Sequence, residues 1–212
     1  MSYTQMLRSI ISSLQSPVII LLLTMIALTI LLLGTLAAEL FIERIHLKVN
    51  GRKLPNMVEA IHKFPGAIND TINGSDLLKR QKELLREIIS HPDLTSSERE
   101  SLAVRLVERQ QAIYDRRVKV TDLIAKTSPM LGLMGTLIPL GPGIIALGQG
   151  DTMTLSNSLL VAFDTTVSGL VCAFLALIIS AVRKTWYRNY MSILEMLVEC
   201  ILEETGKEMT GD

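Results

Sequence analysis

The chain has few of the residues that build metal sites and disulfide frameworks. Its 212 residues include only two cysteines and three histidines, and no spacing among them matches a metal-ligand motif. Cys172 lies in an apolar run and Cys200 in an amphipathic tail, so we interpret both as packing residues. No Ser/His or Cys/His arrangement lies in or near an apolar run. The sequence therefore predicts no metal, no cofactor and no enzyme activity.

Excess charge of one sign is also missing. The 21 Lys and Arg residues balance the 21 Asp and Glu residues, which gives no reason to expect a nucleic-acid partner. No stretch of useful length alternates between apolar and polar residues as a half-buried strand does. Apolar residues make up 49% of the chain, and the mean hydropathy is +0.38. These values predict an all-α protein with membrane helices and a separate polar part.

Three apolar runs are long enough to cross a bilayer, which takes about 20 residues of helix. They cover residues 18–38, 127–150 and 152–182, and only Asp164 interrupts the third. A cleavable signal peptide is the alternative for the first run. It fits poorly, because only Arg8 precedes the run and Leu36 is unsuited to a cut after Ala38. We therefore expect three transmembrane helices.

The basic residues predict the orientation of these helices. Sixteen Lys and Arg lie between residues 43 and 126, and four more follow the third run. The opposite side carries only Arg8, and the turn at Asp151 has no basic residue. The positive-inside rule therefore predicts a protein of the cytoplasmic (inner) membrane. Its middle segment and C-terminus lie in the cytoplasm, and its N-terminus lies on the outer side of the membrane.

The polar segments read as helices that extend the spans. Residues 76–90 have helical apolar spacing, and the sequence TSSE at 95–98 is a capping-box pattern that opens an uninterrupted helix into the second span. The third span continues into a helical tail, whereas residues 50–74 read as loop with short helices. The organisation is an external amphipathic N-terminal helix (1–16, alternatively a frayed terminus), a first transmembrane helix (17–40), a cytoplasmic helical insert (41–126), a second transmembrane helix (127–150), a short external turn (151–157), a third transmembrane helix (158–183) and a cytoplasmic helical tail (184–212).

Small residues form faces on the second and third spans. Gly132 and Gly135 share one face, and Gly169 and Ala173 belong to a similar stripe on the third span. In lipid, helices associate through close backbone approach at such residues. We interpret them as packing surfaces within the chain and between copies of it; ordinary packing without a pore is the alternative. Helix bends are expected at three prolines, Pro129, Pro139 and Pro142.

Three polar residues inside the spans are the candidates for an ion path. Thr136 lies about 15 Å along the helix from Lys126, and Asp164 and Thr166 lie near the middle of the third span. A carboxylate at mid-membrane is unfavourable by about 2.5–3.5 kcal/mol and is usually functional or paired. Asp164 and Thr166 point about 200° apart round a helix. The alternatives are that the threonines bond their own backbone and that Asp164 is a structural acceptor.

These residues resemble a known family. SPMLGLMGT (128–136) and LLVAFDTTVSGLVCAFLALIISAVRK (159–184) are similar to the last two spans of the proton-channel subunits ExbB, TolQ and MotA, with the three-span ExbB and TolQ type closest. The resemblance implies an oligomer around a central pore, most often a pentamer, in which Thr136 and Thr166 are the pore threonines. It also implies a single-span partner of the ExbD, TolR or MotB kind, whose membrane Asp lies inside the pore.

The chain departs from the common pattern in two places. The segment LIPLGPG (137–143) is richer in Pro and Gly than the common pattern. Many ExbB and TolQ chains carry an acidic residue where this chain has Val161, and here Asp164 lies one turn further on. The expected function is a proton-channel subunit of a motor that couples ion flow to movement of the partner across the cell envelope. The alternatives are a passive or mechanosensitive channel and a membrane scaffold without an ion path.

Overall fold

A computed structural model describes residues 13–63, 68–75, 77–91 and 94–210, together with residues 3, 6, 10 and 11; for 41–54, 62 and 207–210 it describes the backbone alone. Within these ranges the regular structure is entirely helical. The helices are α1 (Gln15–Lys63), α2 (Ile68–Gly74), α3 (Lys79–Ile89), α4 (Ser96–Gly148) and α5 (Thr152–Thr210). The expectation of an all-α chain is confirmed.

Three of these helices contain stretches long and apolar enough to cross a membrane. The stretch in α1 is Gln15–Leu40, and the others lie within Ser96–Gly148 and Thr152–Gly206. The continuous helices α4 and α5 confirm that the second and third spans extend into the polar parts of the chain. Half of the N-terminal segment 1–16 lies outside the described residues, so the external amphipathic helix stays a prediction.

The contacts divide the chain into two compact units. The apolar unit comprises Met1–Leu36 and Val118–Val182, and the polar unit comprises Ala37–Arg117 and Arg183–Asp212. In the apolar unit, α1 packs on the α4–α5 hairpin through Met25 and Leu32, which contact a buried cluster of Ile124, Ala125 and Ala176. This cluster fixes the first span against the other two.

The polar unit has a core of large aliphatic side chains. Ile61, Leu85, Leu194 and Ile201 are fully buried there. Gln81 is also buried, and both ends of its amide are used. Its oxygen accepts from the backbone amide of Leu78 at 3.2 Å, and its nitrogen donates to the carbonyl of Tyr190 at 3.3 Å. Both polar groups of the Gln81 side-chain amide are therefore hydrogen-bonded, which fixes the position of α3 along α5.

The helix ends follow local sequence signals. At the start of α4 the Thr95 amide donates to Glu98 at 3.0 Å and the Glu98 amide donates to the Thr95 hydroxyl at 3.4 Å, so the predicted capping box is confirmed. Gly150 closes α4 with a φ of +80°, a conformation that favours glycine. Asp151 then caps α5 by accepting from the Thr154 amide at 3.0 Å.

The structure corrects two sequence-based boundaries. Residues 50–63, expected to be mostly loop, continue α1 through Pro55, and the buried Ile61 shows how packing outweighs the hydrogen bond that the proline removes. Residues 152–157, assigned to the external turn, are already helix because Asp151 caps them. Helix α4 runs through Pro129, Pro139 and Pro142 without a break. The bends expected at these prolines stay a prediction.

Candidate functional site

Glycines bring the two halves of the α4–α5 hairpin into backbone contact. A Cβ atom built on Gly132 would lie 3.2 Å from the Thr165 carbonyl oxygen and 3.4 Å from the Cα of Gly169. A Cβ on Gly169 would lie 2.7 Å from the Ser128 carbonyl oxygen. All three distances are shorter than an ordinary carbon contact of about 3.5–4.0 Å. Only glycine fits at these two places without moving a helix.

Gly135 makes the closest approach to a side chain. A Cβ there would lie 2.6 Å from the Cβ and 2.7 Å from the hydroxyl of Thr165. Thr165 is itself held in place, because its hydroxyl donates to the carbonyls of Val161 and Ala162 at 2.9 and 3.0 Å. Ala173 is buried on the same stripe of α5. The small-residue face of the sequence therefore lies in the α4–α5 contact.

The side chains of the two candidate pore threonines lie at the edge of this contact, although the Cα of Thr166 would lie 3.5 Å from a Cβ on Gly132. Thr136 and Thr166 are half-buried, and each hydroxyl donates to its own helix, Thr136 to the Leu133 carbonyl at 2.7 Å and Thr166 to the Ala162 carbonyl at 3.0 Å. Each hydroxyl hydrogen is thus bonded within its own helix, which is the alternative in which the threonines bond their own backbone. The oxygen keeps lone pairs that can accept from water or from a protonated carboxyl group.

Asp164 is an exposed carboxylate on the apolar outer face of α5. Its neighbours on that face include Leu160, Phe163 and Val167, all more than half exposed. In the part of the chain that the structure describes, the Asp164 carboxylate has no hydrogen bond or ion pair. Because Gly135 opposes Thr165 in the antiparallel hairpin, Thr136 and Asp164 lie at about the same depth along the helices.

Pro139 adds a backbone acceptor at this depth. Proline has no amide hydrogen, so the Gly135 carbonyl lacks the helix donor it would receive from residue 139. That carbonyl immediately precedes Thr136 in the chain. Pro142 removes the donor to the Ile138 carbonyl in the same way. The hairpin therefore offers hydroxyl and carbonyl oxygens together near mid-span.

A polar contact closes the other end of the hairpin. The Ser180 hydroxyl, which is almost fully buried, donates to the half-buried carboxylate of Asp122. Near it, Ser128 is fully buried and its side-chain oxygen has no hydrogen-bond partner among the described residues. These residues bring polar atoms into the same helix contact as the glycines.

In the polar unit, one carboxylate joins three helices. Glu39 on α1 lies 3.4 Å from the Arg117 guanidinium on α4 and 3.3 Å from that of Arg183 on α5. The Arg183 side chain is only 4% exposed, so this ion pair is shielded from solvent. The hydroxyl of Tyr187 beside Arg117 is the main cause of an Arg117 pKa above its ordinary value, with a smaller contribution from Glu39. Tyr187 also stacks on Tyr114 with ring centroids 4.4 Å apart.

Within the described residues, no group of three or more His, Cys, Asp or Glu side chains could hold a metal ion. The site residues therefore offer oxygen acceptors, hydroxyls and one exposed mid-span carboxylate.

A family model described as the MotA/TolQ/ExbB proton channel family matches residues 77–196, which is more than half of the chain. The chain belongs to this family. The match contains α3, the spans of α4 and α5, and all three candidate ion-path residues. It confirms the resemblance seen in residues 128–136 and 159–184. Together with the three apolar helices, it identifies a multi-pass membrane protein.

One curated relative is similar over about half of the chain. The chain is 30% identical over 116 residues to the biopolymer transport protein exbB1 of Vibrio cholerae serotype O1. The matched region is 51% of this chain and 49% of that protein. The chain thus matches about half the length of this MotA/TolQ/ExbB-family relative.

Sequence reasoning missed the contacts that only folding creates. Thr165 was one of several small residues on the α5 stripe, and its role against Gly135 had no separate signal. Glu39, Arg117 and Arg183 are far apart in sequence. Their one shared feature was a position just outside the apolar runs, where a charged residue is ordinary.

Proposed function

We propose that this MotA/TolQ/ExbB-family protein is a proton-channel subunit of a membrane motor in the cytoplasmic membrane. It assembles as a homo-oligomer around a central pore, a pentamer by its resemblance to the family. Its N-terminus lies outside and its C-terminus is cytoplasmic. A single-span protein of the ExbD, TolR or MotB kind lies inside the pore and contributes a membrane Asp. Proton flow then drives movement of that partner across the cell envelope.

The observation that carries the proposal is the arrangement of acceptors on the α4–α5 hairpin. Glycine contacts hold two span helices at backbone distance. Thr136 and Thr166 remain half-buried at the edges of that contact, where a second surface can reach them. A hydroxyl can accept a proton-sharing hydrogen bond but cannot hold the charge near neutral pH. A carboxylate from the partner supplies the group that takes up and releases the proton.

We propose that the half-buried Thr166 side chain faces the pore axis.

Asp164 has a different place in the proposal. It lies on the exposed apolar face of α5, where an ionised carboxylate in contact with lipid is unfavourable by about 2.5–3.5 kcal/mol. Contact with a neighbouring copy removes that exposure. We propose that Asp164 lies at the edge of the ion route and both fixes the span helices and aids ion passage.

The test is proton flux into vesicles that contain the protein with its partner. Thr166→Val keeps the side-chain volume and removes the hydroxyl, so flux should fall by at least about tenfold, on the scale of a lost proton-relay group. Leu170→Val, on the exposed face one turn away, is the control and should conduct normally. Normal flux in both Thr136→Val and Thr166→Val would remove the assignment of the pore threonines.

Asp164 is tested in the same vesicles with an isosteric change. Asp164→Asn keeps the shape and much of the hydrogen bonding but cannot take up a proton. Assembly without flux in Asn would assign a titrating role, and normal behaviour in Asn would assign a structural one. Equal flux in Asp, Asn and Ala at this position would end the functional claim for the residue.

A further inference from the structure

An open groove lies between α4 and α5 in the polar unit. It has a volume of about 730 Å³, and its floor is formed by small and branched apolar side chains of both helices, including Ala103, Val107, Val198 and Leu202. Ala103 and Val198 are buried, whereas the upper part of the groove is open to solvent. Neither helix fills this space with its own side chains.

The rim of the groove is acidic. Five glutamates line it, two from α4 and three from α5 (Glu100, Glu108, Glu195, Glu199 and Glu203), together with one cation, the buried Arg99. All five are exposed. Those on α5 repeat every four residues, so each faces a like charge one turn away, an arrangement that weakens a helix. Among the described residues, Glu100, Glu108, Glu195 and Glu199 form no ion pair. A cationic occupant would relieve this repulsion.

A matching basic stripe lies on another face of α4. Arg105, Arg109 and Arg116 are exposed and form no ion pair in the described part of the chain. Each lies about 120–160° round the helix from Ala103 on the groove floor. The stripe therefore cannot reach the groove of its own chain. Arg109 lines a smaller pocket with Glu83 and Glu87 of α3, and all three arginines are exposed, so that a second copy can meet them.

The two charged surfaces also lie at the same level. Tyr114 stacks on Tyr187, and α4 and α5 run antiparallel there. Glu195 lies eight residues after Tyr187 on α5. Because the helices are antiparallel, it is level with the residue eight positions before Tyr114 on α4, which is about residue 106. Rotation about an axis along the helices leaves heights unchanged, so the Arg105 level of one copy meets the Glu195 level of the next.

We propose that the acidic groove of one copy binds Arg105 and Arg109 of the neighbouring copy, whereas Arg116 lies beyond the end of the groove. The contact joins two different surfaces, which is the head-to-tail geometry that closes into a ring. The inference rests on the proposed homo-oligomer and adds a specific cytoplasmic-side interface to it. It also gives the groove a defined occupant, a second copy of this chain.

The test is cross-linking between two differently tagged copies expressed together. One carries Glu195→Cys and the other Arg105→Cys, and Cys172 and Cys200 are replaced by Ala in both. Because each chain has a single cysteine, a covalent product that carries both tags joins two copies. Replacing Glu195→Cys by Glu83→Cys, an exposed position on α3, is the matched control. We expect the product with Glu195→Cys and none with Glu83→Cys.

Charge reversal gives a second, independent readout. Glu199→Arg with Glu108→Arg in the groove copy should slow cross-linking about tenfold, because like charges then meet across the contact. Arg109→Glu in the other copy should restore the rate. Raised salt should slow the original pair as well, since exposed charges are screened.

The outcomes separate this inference from the proposed function. Native mass spectrometry of the same samples gives the oligomeric state, and proton flux is measured apart from it. An oligomer without a two-tag product, or with equal products from Glu195→Cys and Glu83→Cys, overturns the groove contact and leaves the channel proposal standing. A stable monomer overturns both.

Discussion

Gly135→Ala should destabilise the α4–α5 hairpin by a predictable amount. The added Cβ would lie 2.6 Å from the Thr165 Cβ, whereas carbon atoms pack at about 3.5–4.0 Å. The helices must therefore separate locally by about 1 Å. Thr165 cannot rotate away freely, because it is β-branched and its hydroxyl is bonded to Val161 and Ala162. Overpacking of this kind lowers the free energy of unfolding by about 1–3 kcal/mol.

Gly141→Ala is the matched control on the same helix. A Cβ at Gly141 would meet no atom of another helix within 4 Å, so no contact between helices opposes the higher helix propensity of alanine, worth about 0.8–1.0 kcal/mol. Gly135→Ala gains the same propensity. The difference between the two variants therefore isolates the steric effect of Thr165.

The measurement is thermal unfolding of the purified variants in detergent, followed by circular dichroism. For a chain of this size each kcal/mol shifts the Tm by about 2–4 °C. We expect Gly169→Ala and Gly135→Ala to unfold lowest, Gly132→Ala next and Gly141→Ala at or above the wild type, in the order of the contact distances. A Gly135→Ala variant as stable as Gly141→Ala would refute the backbone contact of α4 with α5.

Two further predictions concern charge. Glu39→Gln removes one partner of the buried Arg183 and should lower the free energy of unfolding by roughly 1–3 kcal/mol. The control is Glu59→Gln, whose pair with Lys63 is well exposed; its free energy of unfolding should stay within about 0.5 kcal/mol of the wild type. The same free energy of unfolding in both variants would contradict a stabilising role for the buried pair. Hydrogen bonds from Thr154 hold the pKa of Asp151 below its ordinary value of 3.8. The Tm of the wild type should therefore exceed that of Asp151→Ala by the full amount above pH 3.8, and the difference should shrink as the pH falls through the lowered pKa. A difference in Tm that does not depend on pH would argue against the cap.

The sequence by itself determined the class of the protein and much of its helix pattern. Long charge-free runs fix the three candidate spans, because a bilayer demands a minimum apolar length. The capping pattern at Thr95 and the uninterrupted run after it predicted α4, since these signals act between residues three or four positions apart. The glycines, Thr136 and the α5 motif carried the resemblance to the MotA/TolQ/ExbB family.

Only the tertiary structure decided which side chains meet. The sequence could not tell that Thr165 lies against Gly135 while Thr166 stays at the edge, because the two are neighbours on one stripe and the rotation of α5 decides between them. It also could not join Glu39 to Arg117 and Arg183, nor carry α1 through Pro55. Local propensity acts over a few residues, whereas these features depend on packing between helices that are far apart in the chain.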